Sequence, residues 1–223
     1  MAEVAIIIPV LRRPHRVEPM MRDVAAAMTC DYELLFVATP GDKLEIAALE
    51  RAGANFILTP RVFLRGDYPV KINLGYRTTT APWILTGADD LHFHPGWFEE
   101  AMKVYQETGA LWIGTNDLSG REIYGEPHAT HSLVHRNYAR DQGTVTEKDA
   151  IYSVAYWHEF VDDEACATAR HRGVYAWAEN SIVEHMHPHW GKAPSDELYE
   201  KNKAARIHQG RIVYNRRKRL WAS

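Results

Sequence analysis

The chain has 223 residues, of which 46% are hydrophobic and 25% are charged, and its formal net charge is -3. This length and composition indicate one large globular domain and exclude a disordered chain or a small disulfide-stapled scaffold. Two cysteines are too few for a cysteine-based zinc site, and the apolar run near the start has neither the length of a membrane span nor the flanks of a signal peptide, so we expect a cytoplasmic protein.

The first sixty residues alternate apolar runs with amphipathic stretches. Residues 4–10 form a continuous apolar run rich in β-branched residues, which is typical of a strand buried on both faces of a parallel sheet. Helices are predicted over 16–28 and 43–52, and strands over 32–38 and 55–58. This β-α-β-α-β order predicts a doubly wound α/β sheet, which binds ligands beyond the carboxyl ends of its strands.

The alternation continues downstream, with one long exception. Further helices are predicted over 70–81, 98–108 and 160–172, and further strands over 83–86, 110–114, 174–178 and 181–185. Residues 116–145 are rich in Gly, His and Asn and are predicted to be mostly loop. Because no linker composition precedes residue 190, we predict a single domain over residues 1–200.

The basic residues are unevenly distributed along the chain. Eight of the 26 lysines and arginines, and none of the 29 acidic residues, lie in the C-terminal segment 201–223. A basic end on an acidic body predicts either contact with an anionic partner or a helix that packs on that body. We expect the segment to pack on the same domain.

The predicted strand 83–86 runs into Gly87 and Ala88, and Asp89 and Asp90 follow these two residues. Two adjacent carboxylates repel each other, and an apolar environment makes their charge more costly. A divalent cation such as Mg²⁺ or Mn²⁺ takes oxygen ligands and bridges carboxylates to substrate phosphates. Capping of the next helix is the alternative explanation, but it accounts for only one of the two aspartates. The pair therefore predicts a metal–phosphate site.

Three of the twelve histidines lie in one short segment, at His185, His187 and His189. In an extended chain their side chains point the same way, because side chains alternate between the two faces. One histidine with two aspartates would suit Mn²⁺, whereas three histidines would suit zinc.

Asp162, Asp163 and Glu164 stand at the start of the predicted helix 160–172. Acidic residues favour the positive end of a helix dipole, which is the purely structural interpretation. Alternatively, one of the three carboxylates acts as a general base that faces a substrate. Their spacing does not choose between these interpretations.

In this order the segments resemble the GT-A-fold glycosyltransferases, in particular the family 2-like group and its small bacteriophage-encoded members. Residues 4–10 are similar to the opening strand of that group, with Pro9 leading into the loop that borders the nucleotide. Residues 71–75 (Lys-Ile-Asn-Leu-Gly) resemble its Lys/Arg–Asn–x–Gly helix, and residues 83–90 resemble the strand that ends in its Asp-x-Asp metal motif. Residues 94–97 are similar to its proline-containing start of the next helix.

The resemblance extends to residue 192 and assigns two further segments. Residues 160–166 resemble the segment that supplies the base in inverting members, so Asp162 takes the base position, with Asp163 and Glu164 as alternatives. Residues 183–185 resemble the strand that brings a late histidine, here His185, to the metal. The sequence departs from the family at Gly87, which stands where the first aspartate of the metal motif is expected.

The resemblance implies a single GT-A domain that transfers a sugar, with inversion, from a nucleoside-diphosphate sugar to an acceptor hydroxyl. It implies Mn²⁺ or Mg²⁺ on Asp89, Asp90 and His185, with His187 as the alternative ligand. The residues expected to contact the donor are Pro9, Val10, Arg12, Thr39, Asp42, Lys71, Asn73, Asp89 and Lys192. The expected acceptor is a hydroxymethylated DNA base, a virion protein or a glycan in the host cytoplasm, with no membrane partner.

Two other classes of function stay open on the sequence. A metal-dependent hydrolase would use the same histidines and carboxylates and would cleave its substrate without an acceptor. A non-catalytic module would bind a nucleotide sugar or a glycan and would keep that binding after loss of Asp162.

Overall fold

The computed structural model describes residues 1–63, 67–123, 125–200 and 203–221. The strands are β1 (Val4–Pro9), β2 (Tyr32–Ala38), β3 (Phe56–Leu58), β4 (Trp83–Thr86), β5 (Leu91–Phe93), β6 (Trp112–Asn116), β7 (Glu122–Ile123), β8 (Glu126–Pro127), β9 (Ser132–His135) and β10 (Tyr175–His185). The helices are α1 (Val17–Ala27), α2 (Lys43–Arg51), α3 (Tyr68–Thr78), α4 (Trp97–Thr108), α5 (Arg136–Asp141), α6 (Val161–His171), α7 (Glu197–Glu200) and α8 (Lys203–Arg217).

Eight strands form one sheet in the order β3-β2-β1-β4-β9-β6-β10-β5. The pairs from β3 to β4 are parallel, whereas β9 runs antiparallel between β4 and β6 and β5 pairs antiparallel with β10. Helices cover both faces, because the connections between parallel strands must cross over the sheet. The predicted α/β class with a mostly parallel sheet is confirmed.

The central strand β1 is buried on both faces, as its β-branched run predicts. Each residue from Val4 to Ile8 has no exposed surface. On one face its side chains belong to an apolar cluster that includes residues of α1 and α4, and on the other Ile7 belongs to a second cluster that includes residues of α3 and α5. A Cβ at Gly75 of α3 would lie 2.6 Å from the side chain of Ile7, so glycine allows the close approach of α3 to β1.

Gly87 is also required by packing. A Cβ at this position would lie 2.7 Å from the backbone carbonyl of Ile7, and the Gly87 amide donates a hydrogen bond of 2.9 Å to that same carbonyl. An aspartate does not fit there without moving β4 away from β1. The departure from the metal motif at residue 87 therefore has a steric reason, and the carboxylates stand further along, at Asp89 and Asp90.

The prediction of a mostly irregular segment over 116–145 is wrong. This segment holds β9, which pairs with β4 on one side and β6 on the other, and α5. The four residues of β9 are too few to show a period, and their burial comes from neighbours distant in sequence. The two strands predicted over 174–185 are a single strand, β10, with an irregularity between Ala178 and Ile182.

The described part of the basic C-terminal segment packs against the body through α8; residues 201, 202, 222 and 223 of that predicted segment lie outside the described residues. Arg217 makes two hydrogen bonds, of 2.6 and 2.8 Å, to the buried carboxylate of Glu164. A Cβ at Gly210 would lie 2.5 Å from the carbonyl of Glu159, so α8 approaches that loop closely. Across the described residues, no helix combines the length and apolar character needed to cross a bilayer.

Candidate active site

A cavity of about 490 Å³ lies at the carboxyl ends of the parallel strands. Its wall is formed by the chain that follows β1 and β4, the end of β10, the first turn of α6, and the α7–α8 segment. This is the place where doubly wound sheets bind ligands, because loops diverge there and leave strand-end side chains facing open space. Four of the carboxylates predicted to be functional, Asp89, Asp90, Asp162 and Asp163, line this cavity.

Asp89 is held by two arginines from the segment after β1. Its Oδ1 atom lies 2.8 Å from Nη1 of Arg13 and 3.4 Å from Nη1 of Arg16. Arg13 also binds Asp196, at 2.8 Å, and thereby connects the β1 loop to the segment before α7. Burial and the neighbouring charge of Asp90 raise the pKa of Asp89 to about 6, although Arg13 and Arg16 lower it. The negative charge of Asp89 is thus already balanced by the protein.

Asp90 faces His185 instead. Oδ2 of Asp90 lies 3.4 Å from Nε2 of His185, and the Tyr199 hydroxyl donates to the same oxygen at 2.7 Å. The Met186 amide donates to the Asp90 carbonyl at 2.8 Å, which joins the end of β10 to the residues after β4. Although burial opposes both charges, the pair raises the pKa of His185 and lowers that of Asp90. Asp90 therefore stays ionised at neutral pH.

His131 also lies in this wall, just before β9. Its Nδ1 atom lies 2.6 Å from the carbonyl oxygen of Thr86, and its ring meets that of His185 edge to face at a centroid distance of 5.0 Å. Sequence reasoning assigned no catalytic or metal-binding role to this residue, because it stands in a stretch without periodicity that was predicted to be loop. No spacing signal distinguishes it from the other histidines.

Asp162 and Asp163 begin α6 and are bound by two partners that the sequence did not indicate. Arg121 lies 3.0 Å from Asp162 and 2.6 Å from Asp163, and Nε2 of His128 lies 2.9 and 3.3 Å from the same two carboxylates. Despite burial, His128 and Arg121 lower the pKa of Asp162, whereas burial and the Asp162 charge raise that of Asp163 to about 6. Asp162 is therefore the carboxylate that stays ionised.

His128, Asp162 and Asp163 also have the geometry of a metal site. Their ligand atoms all lie within 4.8 Å of one another. Arg121, however, occupies both carboxylates, so the cluster already contains a positive charge where an ion would bind.

Lys71, Pro9 and Val10, three of the residues predicted to contact the donor, stand together at the cavity wall. The ammonium group of Lys71 is almost completely buried, donates to the Val10 carbonyl at 2.8 Å and pairs with Asp67 at 3.1 Å. Lys71 therefore holds the loop after β1 in place. The charge on Lys71 is balanced by Asp67, so its immediate role is to shape the wall.

Other predicted donor residues are engaged by the protein itself. The Asn73 amide is buried and bonds the backbone of Ile151 and Tyr152 at 2.7 to 3.0 Å, so it anchors the 151–152 segment to α3. The Thr39 hydroxyl donates to Asp67 at 3.0 Å. Each of these contacts positions the carboxyl edge of the sheet.

The remaining predicted positions divide between the cavity and its surroundings. Asp42 caps α2 and accepts the amide of Arg12 at 2.7 Å, outside the cavity wall. Lys192 pairs with Glu184 of β10 at 2.9 Å, and neither residue lines the cavity. His187 does line the cavity, and burial lowers its pKa to about 4. The alternative base Glu164 is turned away from the cavity towards Arg217.

Glu45 supports the segment after β1 that carries Arg13. It is fully buried in α2, its Oε2 accepts the Arg13 amide at 2.7 Å, and its Oε1 has no hydrogen-bond partner among the described residues. Burial raises the pKa of Glu45 from 4.5 to about 7, against the hydrogen bond from Arg13. The folded protein therefore binds a proton at Glu45 more tightly than the unfolded chain does.

The Glu45→Gln variant is expected to be more stable than the parent above pH 7. The cost of the buried carboxylate grows as the pH rises from the unfolded pKa of 4.5 to the folded pKa of about 7, and at pH 8 it is about 1 to 3 kcal/mol. Urea unfolding at pH 5 and pH 8 measures the effect, which should shrink towards the lower pH. Glu50→Gln, at an exposed position of the same helix, is the control. An equal gain at both pH values would refute the raised pKa.

The chain path is shared with solved glycosyltransferases. A mannosyltransferase from Pyrobaculum calidifontis, solved with GDP-Man and Mn²⁺, aligns over 96% of this chain and 64% of its own length, with a TM-score of 0.69 and 11% identity. Glucosyl-3-phosphoglycerate synthase from Mycobacterium tuberculosis, solved with Mn²⁺, UDP-Glc and phosphoglyceric acid, aligns over 98% of this chain and 80% of its own, with a TM-score of 0.64 and 14% identity.

At these identities the likeness shows the fold: the chain has the GT-A architecture of these glycosyltransferases. It spans less than two thirds of the length of the mannosyltransferase. No protein-family model matches the sequence, and no curated protein matches it in sequence.

Proposed function

We propose that the protein is a metal-dependent glycosyltransferase that moves a sugar from a nucleoside-diphosphate sugar to an acceptor hydroxyl. The observation that carries this proposal is the convergence of Asp90 and His185 at 3.4 Å in the wall of the strand-end cavity. The two residues come from separate elements, and they meet in a fold whose solved relatives hold Mn²⁺ and nucleotide sugars.

A divalent ion fits between these two side chains. Their separation of 3.4 Å is longer than a hydrogen bond, and it suits two ligands that each stand about 2.1 Å from one ion. Asp90 is favoured over Asp89 because Arg13 and Arg16 already bind Asp89. When bound, such an ion neutralises charge on the leaving diphosphate.

The donor is proposed to bind along the loop after β1. Pro9 and Val10 form the wall there, and Lys71 fixes the loop through the Val10 carbonyl. Arg13, which lines the cavity beside Asp89, adds a guanidinium that suits a diphosphate. Lys71 and Asn73 act in this proposal by holding the donor site in shape.

Asp162 is proposed as the base that takes the acceptor proton, which gives inversion at the anomeric carbon. The carboxylate lines the cavity, and Arg121 and His128 keep it ionised and fix its orientation. An ionised, oriented carboxylate can receive the hydroxyl proton as the oxygen attacks. Asp163, whose pKa is raised to about 6, is the second choice.

The acceptor is proposed to enter past Lys203 and Arg206, which line the cavity at the start of α8. These cations suit an acceptor that carries negative charge, such as a hydroxymethylated base in DNA. A virion protein or a glycan is the other acceptor class that we propose for a bacteriophage-encoded enzyme of the host cytoplasm.

Thermal melting against nucleotides and nucleotide sugars, with Mn²⁺, Mg²⁺ or EDTA, tests the proposal. A ligand at 100 times its Kd stabilises a protein by about 2.7 kcal/mol, which is readily measured. We expect one nucleoside diphosphate to raise the melting temperature with Mn²⁺ and to lose this effect with EDTA. Absence of any nucleotide effect would refute the transferase.

A metal-dependent hydrolase is the second candidate, and one observation favours it. The compact cluster of His128, Asp162 and Asp163 has ligand atoms within 4.8 Å of one another. Stabilisation by Zn²⁺ alone, without a response to any nucleotide, would support this candidate over the transferase.

A further inference from the structure

Residues 195–200, which we call the α7 segment, lie over the part of the cavity where the donor is proposed to bind. Asp196 of this segment holds the guanidinium fork of Arg13, with Nε donating to Oδ2 at 2.8 Å and Nη2 to Oδ1 at 3.0 Å. The remaining nitrogen of Arg13, Nη1, donates to Asp89 at 2.8 Å. A diphosphate therefore cannot take the fork of Arg13 while Asp196 holds it.

Tyr199 of the same segment covers both Arg13 and Asp90. The guanidinium carbon of Arg13 lies 3.9 Å from the centre of the Tyr199 ring, which is a cation–π contact. The Tyr199 hydroxyl donates to Oδ2 of Asp90 at 2.7 Å, and both terminal nitrogens of Arg16 lie 3.3 Å from its oxygen. The α7 segment thus contacts the arginine proposed for the diphosphate and the carboxylate proposed for the ion.

The Asp196 carboxylate resembles a phosphate group in charge and in geometry. An arginine binds a carboxylate or a phosphate through the same two parallel N–H···O bonds. Burial opposes the charge of Asp196, but the hydrogen bonds from Arg13 and from the amides of α7 lower the pKa of its carboxyl group, so Asp196 is an anion at neutral pH. A diphosphate beside an unmoved Asp196 would meet a like charge, which costs free energy. One anion must therefore replace the other on Arg13.

The α7 segment is short enough to be displaced. Its helix has four residues, Glu197–Glu200, and a helix of this length has no stability of its own in water. The contact between Asp196 and Arg13 helps to hold the segment, and the Asp196 side chain is 36% exposed, so solvent screens this ion pair. A diphosphate carries more negative charge than one carboxylate and is therefore the stronger ligand for a guanidinium group.

We propose that the α7 segment closes the donor site of the empty enzyme and that the diphosphate of the donor displaces Asp196 from Arg13. This inference rests on the proposed function and adds to it a competition between the donor and the chain itself. The donor binds only the fraction of molecules with an open site, so that fraction sets the apparent affinity. Loss of an α7 contact should therefore tighten donor binding, whereas loss of a residue that contacts the donor would weaken it.

The Asp196→Asn variant releases Arg13 and keeps the local structure of α7. Oδ1 of Asp196 accepts the amides of Leu198 and Tyr199 at 3.0 Å, and asparagine caps a helix as well as aspartate does. Calorimetric titration with UDP, GDP, ADP, CDP and dTDP, each with Mn²⁺, is the measurement. For each nucleotide that binds, we expect an affinity about 5- to 20-fold above that of the parent, because the lost ion pair is partly exposed.

Glu197→Gln is the matched control for this variant. It removes the same charge from the next residue, which is exposed and does not line the cavity. Its nucleotide affinity should equal that of the parent, so a gain confined to Asp196→Asn reports the release of Arg13 and not a general change in charge.

A second measurement needs no variant. Hydrogen–deuterium exchange of the parent follows the α7 segment directly, and we expect its amides to exchange faster when a nucleotide and Mn²⁺ bind. Slower or unchanged exchange there, or weaker or unchanged nucleotide affinity in a folded Asp196→Asn protein, would overturn the displacement and leave the proposed function standing. Failure of all five nucleotides to bind both the parent and the Asp196→Asn variant would overturn both.

Discussion

Replacement of Asp90 by asparagine is expected to abolish Mn²⁺-dependent donor binding and, with it, sugar transfer. Asparagine has nearly the same shape and can still accept the Tyr199 hydroxyl, which now lies 2.7 Å from Oδ2. It removes the charge that balances the ion and that, against the effect of burial, raises the pKa of His185. Loss of a partner behind a metal ligand costs about 10- to 100-fold, so loss of the ligand itself should cost at least about 100-fold in Mn²⁺ affinity.

The matched variant Asp89→Asn distinguishes the two neighbouring carboxylates. Asp89 is bound by Arg13 at 2.8 Å, so its charge is already offset, and its loss should weaken Mn²⁺ binding far less. Calorimetric titration with Mn²⁺ measures both variants, and circular dichroism checks their folding. The reverse order of effects would assign the ion to Asp89. Parent-like affinity in both variants would move the ion elsewhere, and the cluster around His128 is then the first place to test.

Replacement of Asp162 by asparagine is expected to lower kcat by about 100- to 10,000-fold while donor binding stays unchanged. The amide keeps the side-chain shape and an oxygen that accepts from Arg121, but it cannot take a proton from the acceptor. Because the donor is proposed to bind around Asp90 and the β1 loop, its affinity should not depend on Asp162. Steady-state kinetics with the acceptor, together with calorimetric donor titration, separates the two effects.

Asp163→Asn is the control for this prediction. It leaves Asp162 in contact with Arg121 and His128, at 3.0 and 2.9 Å, so most of the turnover should remain. A larger loss in Asp163→Asn than in Asp162→Asn would assign the base to Asp163. Nuclear magnetic resonance of the product reports the anomeric configuration, and retention of configuration would exclude a single displacement assisted by either carboxylate.

The strands and helices that could be predicted from the sequence are those whose own residues show the composition or the spacing typical of the element. The run Val4–Pro9 is apolar and mostly β-branched, and it becomes β1, whose residues 4–8 are fully buried. The helices α1 and α2 carry apolar residues at helical spacing and lie within one residue of their predicted bounds. By contrast, β9 is a strand because β4 and β6 pair with it, and neither pairing is visible in its four residues.

The candidate site shows the same division. Asp90, Asp162 and His185 could be predicted as site residues from the sequence. Each stands at one end of a predicted strand or helix, where the loops of an α/β sheet gather. Arg121, His128 and His131 lie in the stretch that has no periodicity. Arg121 and His131 line the cavity, and His128 contacts the carboxylates of Asp162 and Asp163. Their roles depend on contacts with residues distant in sequence, such as the hydrogen bond from His131 to Thr86.

The sequence by itself determined the α/β class, the order of the first elements and the carboxylates at the strand ends, because periodicity and β-branched composition are local properties. The tertiary structure decided which side chains are free to bind a ligand. Asp89 and Asp90 are neighbours of the same type, yet Arg13 occupies one and His185 faces the other. Desolvation and pairing set these differences, and both depend on residues that the fold brings together from distant parts of the chain.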